Sequence, residues 1–514
     1  MRLAQGEHHP GPPLGGRDQT GRGPRRSLPV RPRSVRARAL ALGTCAVLLL
    51  AGCGTRADDA EIQAGAGGGP VPLPESAIAD LQSSLPSAPG ATVVGAPQTG
   101  AQVPAAVAGS VPDASSGATA LPTGGQATAG KPAARAPGTA AACTTKGAAV
   151  AIGQVGTYSG VTGSISAPGR TALAVWAQDV NARGGLACHP VTVYNRDDGG
   201  DPSRSAALVQ ELITQQKIVA LVGNTVAFSV SGFRSAVEAA KIPAIGGELI
   251  APEWHESPWM FPQGASIGDQ IVGFIKQGVE AGKKKLAYLY CVEVGACTYA
   301  DKVLKEGGAK RAGAEIVYSS AISITQTDFT AQCQNAKNAG AEQIALGMDG
   351  SAMIRLARSC AALGYKPLLS GVGGTISPGQ ATDALLRSFN LATATSAAPW
   401  VLDDTPGLKQ YQAALKRYAP SLAPDGASIS VWTSAALLEK AVALAGDEAR
   451  TGPLTTAMVV TGLGKIKNET LGGLTGPLTF TPGQPKAVSS GCLFYELLTP
   501  QGWTAPRGSK TICV

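Results

Sequence analysis

Ala148-Ala149-Val150-Ala151-Ile152-Gly153-Gln154-Val155, followed by Gly156-Thr157-Tyr158-Ser159-Gly160, opens the foldable part of this 514-residue chain. A short apolar run closed by glycines reads as a buried strand ending in a tight turn. Thr171 to Asn181 follows with Leu173, Trp176 and Val180 on one face, the spacing of a helix. Val191 to Asn195 is again a strand. The alternation continues through a helix at 203–215, a strand at 219–222, a helix at 233–240 and a strand beginning at Ala244 and Ile245. It starts afresh with strands at 286–291, 316–318 and 343–347, and with helices at 299–312, 329–339 and 352–363. Strands and helices alternating over short connections imply parallel sheets covered by helices on both faces. The expected fold is α/β, with two doubly wound parallel-sheet lobes. Right-handed crossovers put the loops after the strands along one edge of each sheet, where ligands bind.

The sequence before this region is of another kind. All 24 Phe, Trp and Tyr residues lie from Tyr158 onward. The earlier residues are mostly Ala, Gly, Pro, Ser and Thr, which bury too little area to offset chain entropy. Residues 143–514 are therefore expected to fold, and 54–142 to form a disordered tether of roughly 50 Å end-to-end distance. The net charge of +8 is concentrated at the N-terminus. Residues 1–53 carry nine Arg against Glu7 and Asp18, or +7, which leaves +1 for everything after. A nearly neutral body gives no footprint for nucleic acid.

Arg31, Arg33, Arg36 and Arg38 precede the apolar run Ala39 to Ala51. A basic segment, a short apolar core and small residues make an export signal. The run is shorter than the roughly 20 residues that span a bilayer. It ends in Leu50-Ala51-Gly52-Cys53, which resembles the bacterial lipobox; in such signals the Cys becomes the first mature residue and carries the lipid. Residues 1–53 are thus expected to be an N-terminal extension and lipoprotein signal peptide. The product would be anchored through Cys53 to the outer face of the cell membrane.

Within the folded region, Gly156-Thr157-Tyr158-Ser159-Gly160, Asp179 to Leu186, Asp197-Asp198 and Asp201-Pro202 resemble the type I periplasmic binding proteins of the branched-chain amino-acid family. The likeness continues through Ala220-Leu221-Val222-Gly223, Lys241 to Ile245 and Asp328-Phe329-Thr330. The order and spacing of these motifs, more than any one of them, carry the resemblance. It implies two lobes joined by three crossings, near Ser266, Ala394 and Pro477, that close on a small solute. One lobe would hold about 147–266 and 395–476, the other about 267–394 and 477–514. It further implies a binding protein for an amino-acid-like or related polar metabolite, serving the permease and ATPase subunits of an ABC importer. A sensor acting on a membrane receptor and a lipid-anchored hydrolase are the alternatives.

On that fold the expected ligand contacts are Tyr158, Ser159 and Thr162 after the first strand. Asn224, Thr225, Ala227, Phe228 and Ser229 follow the third, and Glu248 and Leu249 the fourth. Tyr299, Asp349 and Val372 come from the second lobe. Family members that bind branched-chain amino acids hold the carboxylate with Ser and Thr and the ammonium with Glu. Here the Ser position falls on Ala227 or Phe228, the Thr position near Ile250 and the Glu position on Val372. A buried ammonium without a carboxylate is costly. Either Asp349, Glu248 or Glu293 replaces the missing partner, or the ligand is no α-amino acid. Trp400, beside a crossing, is a candidate for stacking on a planar ligand.

Besides Cys45 in the signal and Cys53, the chain has Cys143, Cys188, Cys291, Cys297, Cys333, Cys360, Cys492 and Cys513. An even count in an exported chain reads as disulfides, and eight cysteines allow roughly a hundred pairings, among which spacing does not choose. On the implied fold Cys143 and Cys188 precede neighbouring strands, and Cys291 and Cys297 bracket a short loop. Cys333 and Cys360 sit on consecutive helices, and Cys492 and Cys513 flank a terminal hairpin. C-x-x-C pairs are absent, so no metal site is expected. No cofactor motif or P-loop occurs. His189 and His255 are the only histidines after the signal, little material for catalysis, and an enzyme is not expected.

Overall fold

The computed structural model describes Cys143 and residues 146–160, 163–293, 295–323, 325–484 and 487–514. The described residues all lie in one compact unit, Ala129–Val514. The expected signal at 1–53 with Cys53, the expected tether at 54–142 and Thr162 lie outside the described residues.

The first lobe is built on five parallel strands in the order β2-β1-β3-β4-β5: β1 Val150–Gly156, β2 Val191–Asp197, β3 Leu221–Asn224, β4 Ala244–Gly247 and β5 Met260–Phe261. Helices α1 Gly163–Ala182, α2 Pro202–Thr214 and α3 Val230–Ala240 make the crossovers. Asp201 caps α2 by accepting the Arg204 N–H at 2.7 Å, with Pro202 preset for the first turn. In the second lobe, α4 Ile267–Glu280 leads into β6 Lys285–Cys291. Then come α5 Gly295–Val303, α6 Ala309–Ala312, β7 Glu315–Ile322, α7 Thr330–Asn338, β8 Gln343–Gly347, α8 Gly350–Ala362, β9 Leu368–Val372, α9 Ala384–Phe389 and β10 Leu391–Thr395. The chain then re-enters the first lobe with α10 Pro406–Tyr418, α11 Gly426–Ala445, α12 Glu448–Thr451 and α13 Thr456–Gly464. It returns to the second lobe with β11 Cys492–Thr499, β12 Gly502–Thr504 and β13 Ile512–Cys513. That sheet runs β12-β11-β10-β9-β8-β6-β7, with β13 also on β11. Its strands β6 to β10 are parallel; β11 is antiparallel to β10, and β12 and β13 are antiparallel to β11. The edge is antiparallel because β12 follows β11 through a tight hairpin, which cannot make a parallel pair.

Two sequence expectations change in detail. The helix read at 299–312 starts at Gly295 and is broken at Glu306 and Gly307, where Gly307 takes φ 107°. The paired glycines Gly307-Gly308 favour such a break. Leu478 and Phe480 still pack in the first lobe's core, Phe480 edge-on to Phe261 at 5.6 Å, so the last crossing lies beyond Pro477.

Helix α11 is long and apolar enough to cross a membrane, yet it is the central helix of the first lobe, with Ile429, Val431, Trp432, Leu437 and Leu438 fully buried. Asp425 and Ser428 close its N-terminus with a reciprocal capping box. Four disulfides join Cys143 to Cys188, Cys291 to Cys297, Cys333 to Cys360 and Cys492 to Cys513. Each ties segments of one lobe together.

Glu496 on β11 is fully buried beside the second crossing, with its carboxyl oxygens 2.7 Å from Thr395 Oγ1 and 3.3 Å from Thr393 Oγ1. Burial pushes this carboxyl up to about 8, against the pull of the two hydroxyls. Below the ordinary carboxyl range both folded and unfolded chains carry the proton. As pH rises toward about 8 only the folded chain retains it, so the stability it supports is lost. Glu496→Gln is therefore expected to match the native protein in acid and to melt higher than it at alkaline pH. A melting difference independent of pH would contradict this.

Candidate functional site

The C-terminal edges of the parallel strands face each other across a cleft of about 390 Å³. From the first lobe its wall takes Thr157, Ser159 and Gly160 after β1, and Gly199 and Gly200 after β2. Thr225, Ala227 and Phe228 follow β3, and Glu248 and Ile250 follow β4. Ile165 and Ser166 of α1 and the first turns of α11, from Gly426 to Val431, complete that side. The second lobe adds Ile267, Ile271 and Phe274 along α4, with Tyr288 and Cys291 on β6. Ala296, Cys297 and Ala300 come from α5; Met348, Asp349, Val372 and Thr375 follow β8 and β9.

Of the residues expected to contact a ligand, Ser159, Thr225, Ala227, Phe228, Glu248, Asp349 and Val372 line the cleft. Five others lie elsewhere for identifiable reasons. Asn224 is fully buried, its Oδ1 accepting the Val155 N–H at 3.0 Å to tie β3 to β1. Ser229 is buried and donates to Asp198 Oδ2 at 2.5 Å. Leu249, at φ 52°, turns into the core beside Trp254. Tyr158 sits behind the wall: its ring lies under the Arg170 guanidinium at 5.1 Å and its hydroxyl is buried beside Thr225, so desolvation raises its pKa. Tyr299 faces α4 near Gly268, outside the cleft. Trp400 is likewise no ligand platform; it is buried and packs edge-on to Trp503 at 5.2 Å.

Sequence reading missed the second lobe's apolar wall, Ile271, Phe274 and Tyr288. Helical periodicity in 267–280 would have found the helix. Its orientation toward the cleft depends on packing.

The polar groups are few. Beneath the first lobe's floor, Asp198 accepts from Thr157 Oγ1 at 2.8 Å, Ser229 Oγ and the Gly200 N–H at 2.8 Å. Glu248 accepts the Trp254 indole N–H at 3.1 Å and the Val226 N–H at 3.2 Å. Desolvation pushes its carboxyl up to about 7 although those two donors oppose it. Asp349 caps α8 by accepting the Ser351 and Ala352 N–H groups at 3.1 and 3.3 Å. No Lys, Arg or His occurs among the described residues lining the cleft, and no cluster able to hold a metal occurs among the described residues.

Two α/β lobes enclosing a cleft lined from both sides define a binding protein for a small molecule. The chain belongs to the periplasmic binding protein family, whose sequence profile matches residues 149–496. An amino acid binding protein of Pseudomonas aeruginosa is 25% identical over 207 residues, covering 38% of this chain and about half (53%) of that protein. Among solved structures, a substrate-binding periplasmic protein from Ralstonia solanacearum superposes with a TM-score of 0.59 at 18% identity, over 69% of this chain and 98% of that one. A fatty acid ABC transporter substrate-binding protein from Thermomonospora curvata gives 0.59 at 18% identity, over 70% and 91%. The branched-chain amino acid transporter substrate-binding protein LivJ of Streptococcus pneumoniae, in complex with isoleucine, gives 0.57 at 17% identity, over 70% and 98%.

Proposed function

We propose that this protein is the extracytoplasmic solute-binding lipoprotein of an ABC importer, anchored through Cys53 and carried on the 54–142 segment. The observation that carries the reading is the cleft itself, to which both lobes contribute side chains. A solute touching both walls favours the arrangement in which they face each other, and the permease reads that arrangement. Ser159, Thr225, Ala227, Phe228, Glu248, Asp349 and Val372 are the contacts we assign. The names of the solved neighbours, an isoleucine complex and a fatty acid transporter component among them, fit solute capture and differ in the solute.

The α-amino acid reading is the weaker one for this chain. Val372 supplies no partner for an ammonium, Asp349 is engaged at the start of α8, and Glu248 already accepts two N–H groups. A thermal-shift screen of amino acids, amides, organic acids and neutral apolar metabolites tests the function. A bound solute at about 100 times its dissociation constant should add about 2.7 kcal/mol of stability. Small-angle scattering of the same mixtures should show a more compact particle. If no solute stabilises the protein or changes its dimensions, the import reading fails.

A further inference from the structure

The chemistry of the cleft narrows the solute class, an inference that rests on the solute-binding reading above. Two carboxyl groups, Glu248 and Asp349, line it, and a third, Asp425, directly precedes the lining residue Gly426. Glu248 takes the Val226 N–H ahead of α3, Asp349 takes two N–H groups at the start of α8, and Asp425 takes the Ser428 N–H in α11. No cationic side chain answers them among the described lining residues; Arg170, over the Tyr158 ring, is not part of the wall. A carboxylate or phosphate would be desolvated here beside carboxyl groups that already hold the N–H donors, without a counter-ion. An ammonium would have to take carboxylates from the N–H groups they already accept.

The rest of the wall is mostly apolar, with Phe228, Ile250, Ile271, Phe274, Met348 and Val372, and Ser159, Ser166, Thr375 and Ser430 add hydroxyls to it. Two further lining residues, Thr225 and Tyr288, carry hydroxyl oxygens buried just beneath this surface. Thr225, 6% exposed, stands beside the Tyr158 hydroxyl, and the two share no other partner, so one donor remains free. In the second lobe Tyr288, 1% exposed, has a buried hydroxyl with no hydrogen-bond partner, 3.4 Å from where a Cβ on Gly347 would stand. A buried hydroxyl left unpaired is a standing penalty that a ligand oxygen can remove.

We propose that the cleft takes an uncharged, largely apolar solute bearing hydroxyl or carbonyl groups, hydrogen-bonded to Thr225 in the first lobe and Tyr288 in the second.

The test is calorimetry near neutral pH with three probes of one length: α,ω-octanediol, suberate and octanediamine. The diol is expected to bind at least about tenfold more tightly than either ion. Thr225→Val and Tyr288→Phe should each weaken the diol by about threefold to tenfold. Tyr288→Phe should not lower the melting temperature of the unliganded protein much, since the Tyr288 hydroxyl makes no hydrogen bond there. Tighter binding of suberate or of the diamine overturns the proposal, as does heat from none of the three. Unchanged diol affinity in both variants overturns the assignment of the two hydroxyls. If a charged compound from the screen closes the lobes instead, solute capture stands and only the uncharged class falls. If nothing closes them, the binding reading itself falls.

Discussion

Gly426→Val is expected to lower affinity for the bound solute roughly 10- to 100-fold while leaving the unliganded fold nearly as stable as before. Gly426 begins α11 in the first lobe. A Cβ placed on it would stand 2.8 Å from Gly374 Cα, 3.0 Å from Gly374 N and 3.1 Å from Gly373 C, all backbone atoms following β9 in the second lobe. Side chains could rotate away from such an intrusion, but backbone can yield only if the two lobes separate. The clash therefore acts on the arrangement in which the lobes meet and is absent when they part. Overpacking of this kind costs typically about 1–3 kcal/mol. If that cost falls on the closed state alone, it appears as weaker binding, at about 1.4 kcal/mol per tenfold. Calorimetry on the native and variant proteins measures the loss, and scattering should show the variant less compact with solute present. Native affinity in Gly426→Val would mean that closure does not bring these backbones together.

The largest effect on stability is expected at Gly462, on α13. Its Cβ would lie 1.8 Å from Ala441 O and 2.6 Å from Ala441 C, the backbone of α11. The two helices meet without an intervening side chain, and α11 is pinned by the first lobe's core, with Ala441 and Val442 buried beside the contact. Gly462→Val must drive α13 outward and open the core over Val459 and Leu463. The loss should exceed about 3 kcal/mol, a large part of the 5–15 kcal/mol typical of a folded protein. Urea titration reads it as a lower midpoint. Gly452→Ala is the matched control: its added methyl would meet only Glu448 O at 3.5 Å, an ordinary contact, and stability should stay within about 0.5 kcal/mol. A Gly462→Val protein as stable as the control would show that the α11–α13 contact yields cheaply.

The periodicity of 148–195 was enough to indicate parallel strands with crossover helices, because apolar runs and amphipathic faces are local properties. The turn glycines after β1 and the Asp201-Pro202 helix start were legible for the same reason. Residue type alone also marked Val372 as unable to pair with an ammonium. The antiparallel edge was less legible. Its strands are brought together from 391–395 and 492–513, and no local pattern states which distant segments will pair.

The cleft residues divide along the same line. That the loops after β1, β3 and β4 border a binding edge follows from handedness. Whether Asn224 or its neighbour Thr225 faces the gap does not. The choice depends on which strand needs the Asn224 side chain, and β1 takes it through the Val155 N–H. Tyr288 and Phe274 belong to the second lobe's core by composition, and only the packing of α4 and β6 gives one edge of that core to the cleft. By itself the sequence determined the layered α/β architecture and the edge bordered by the loops after the strands, since both are written in short-range order. The tertiary structure alone decided that the described lining of the cleft is largely apolar and without cations, and that backbones meet at Gly426, since both arise where residues far apart in the chain are forced into one small space.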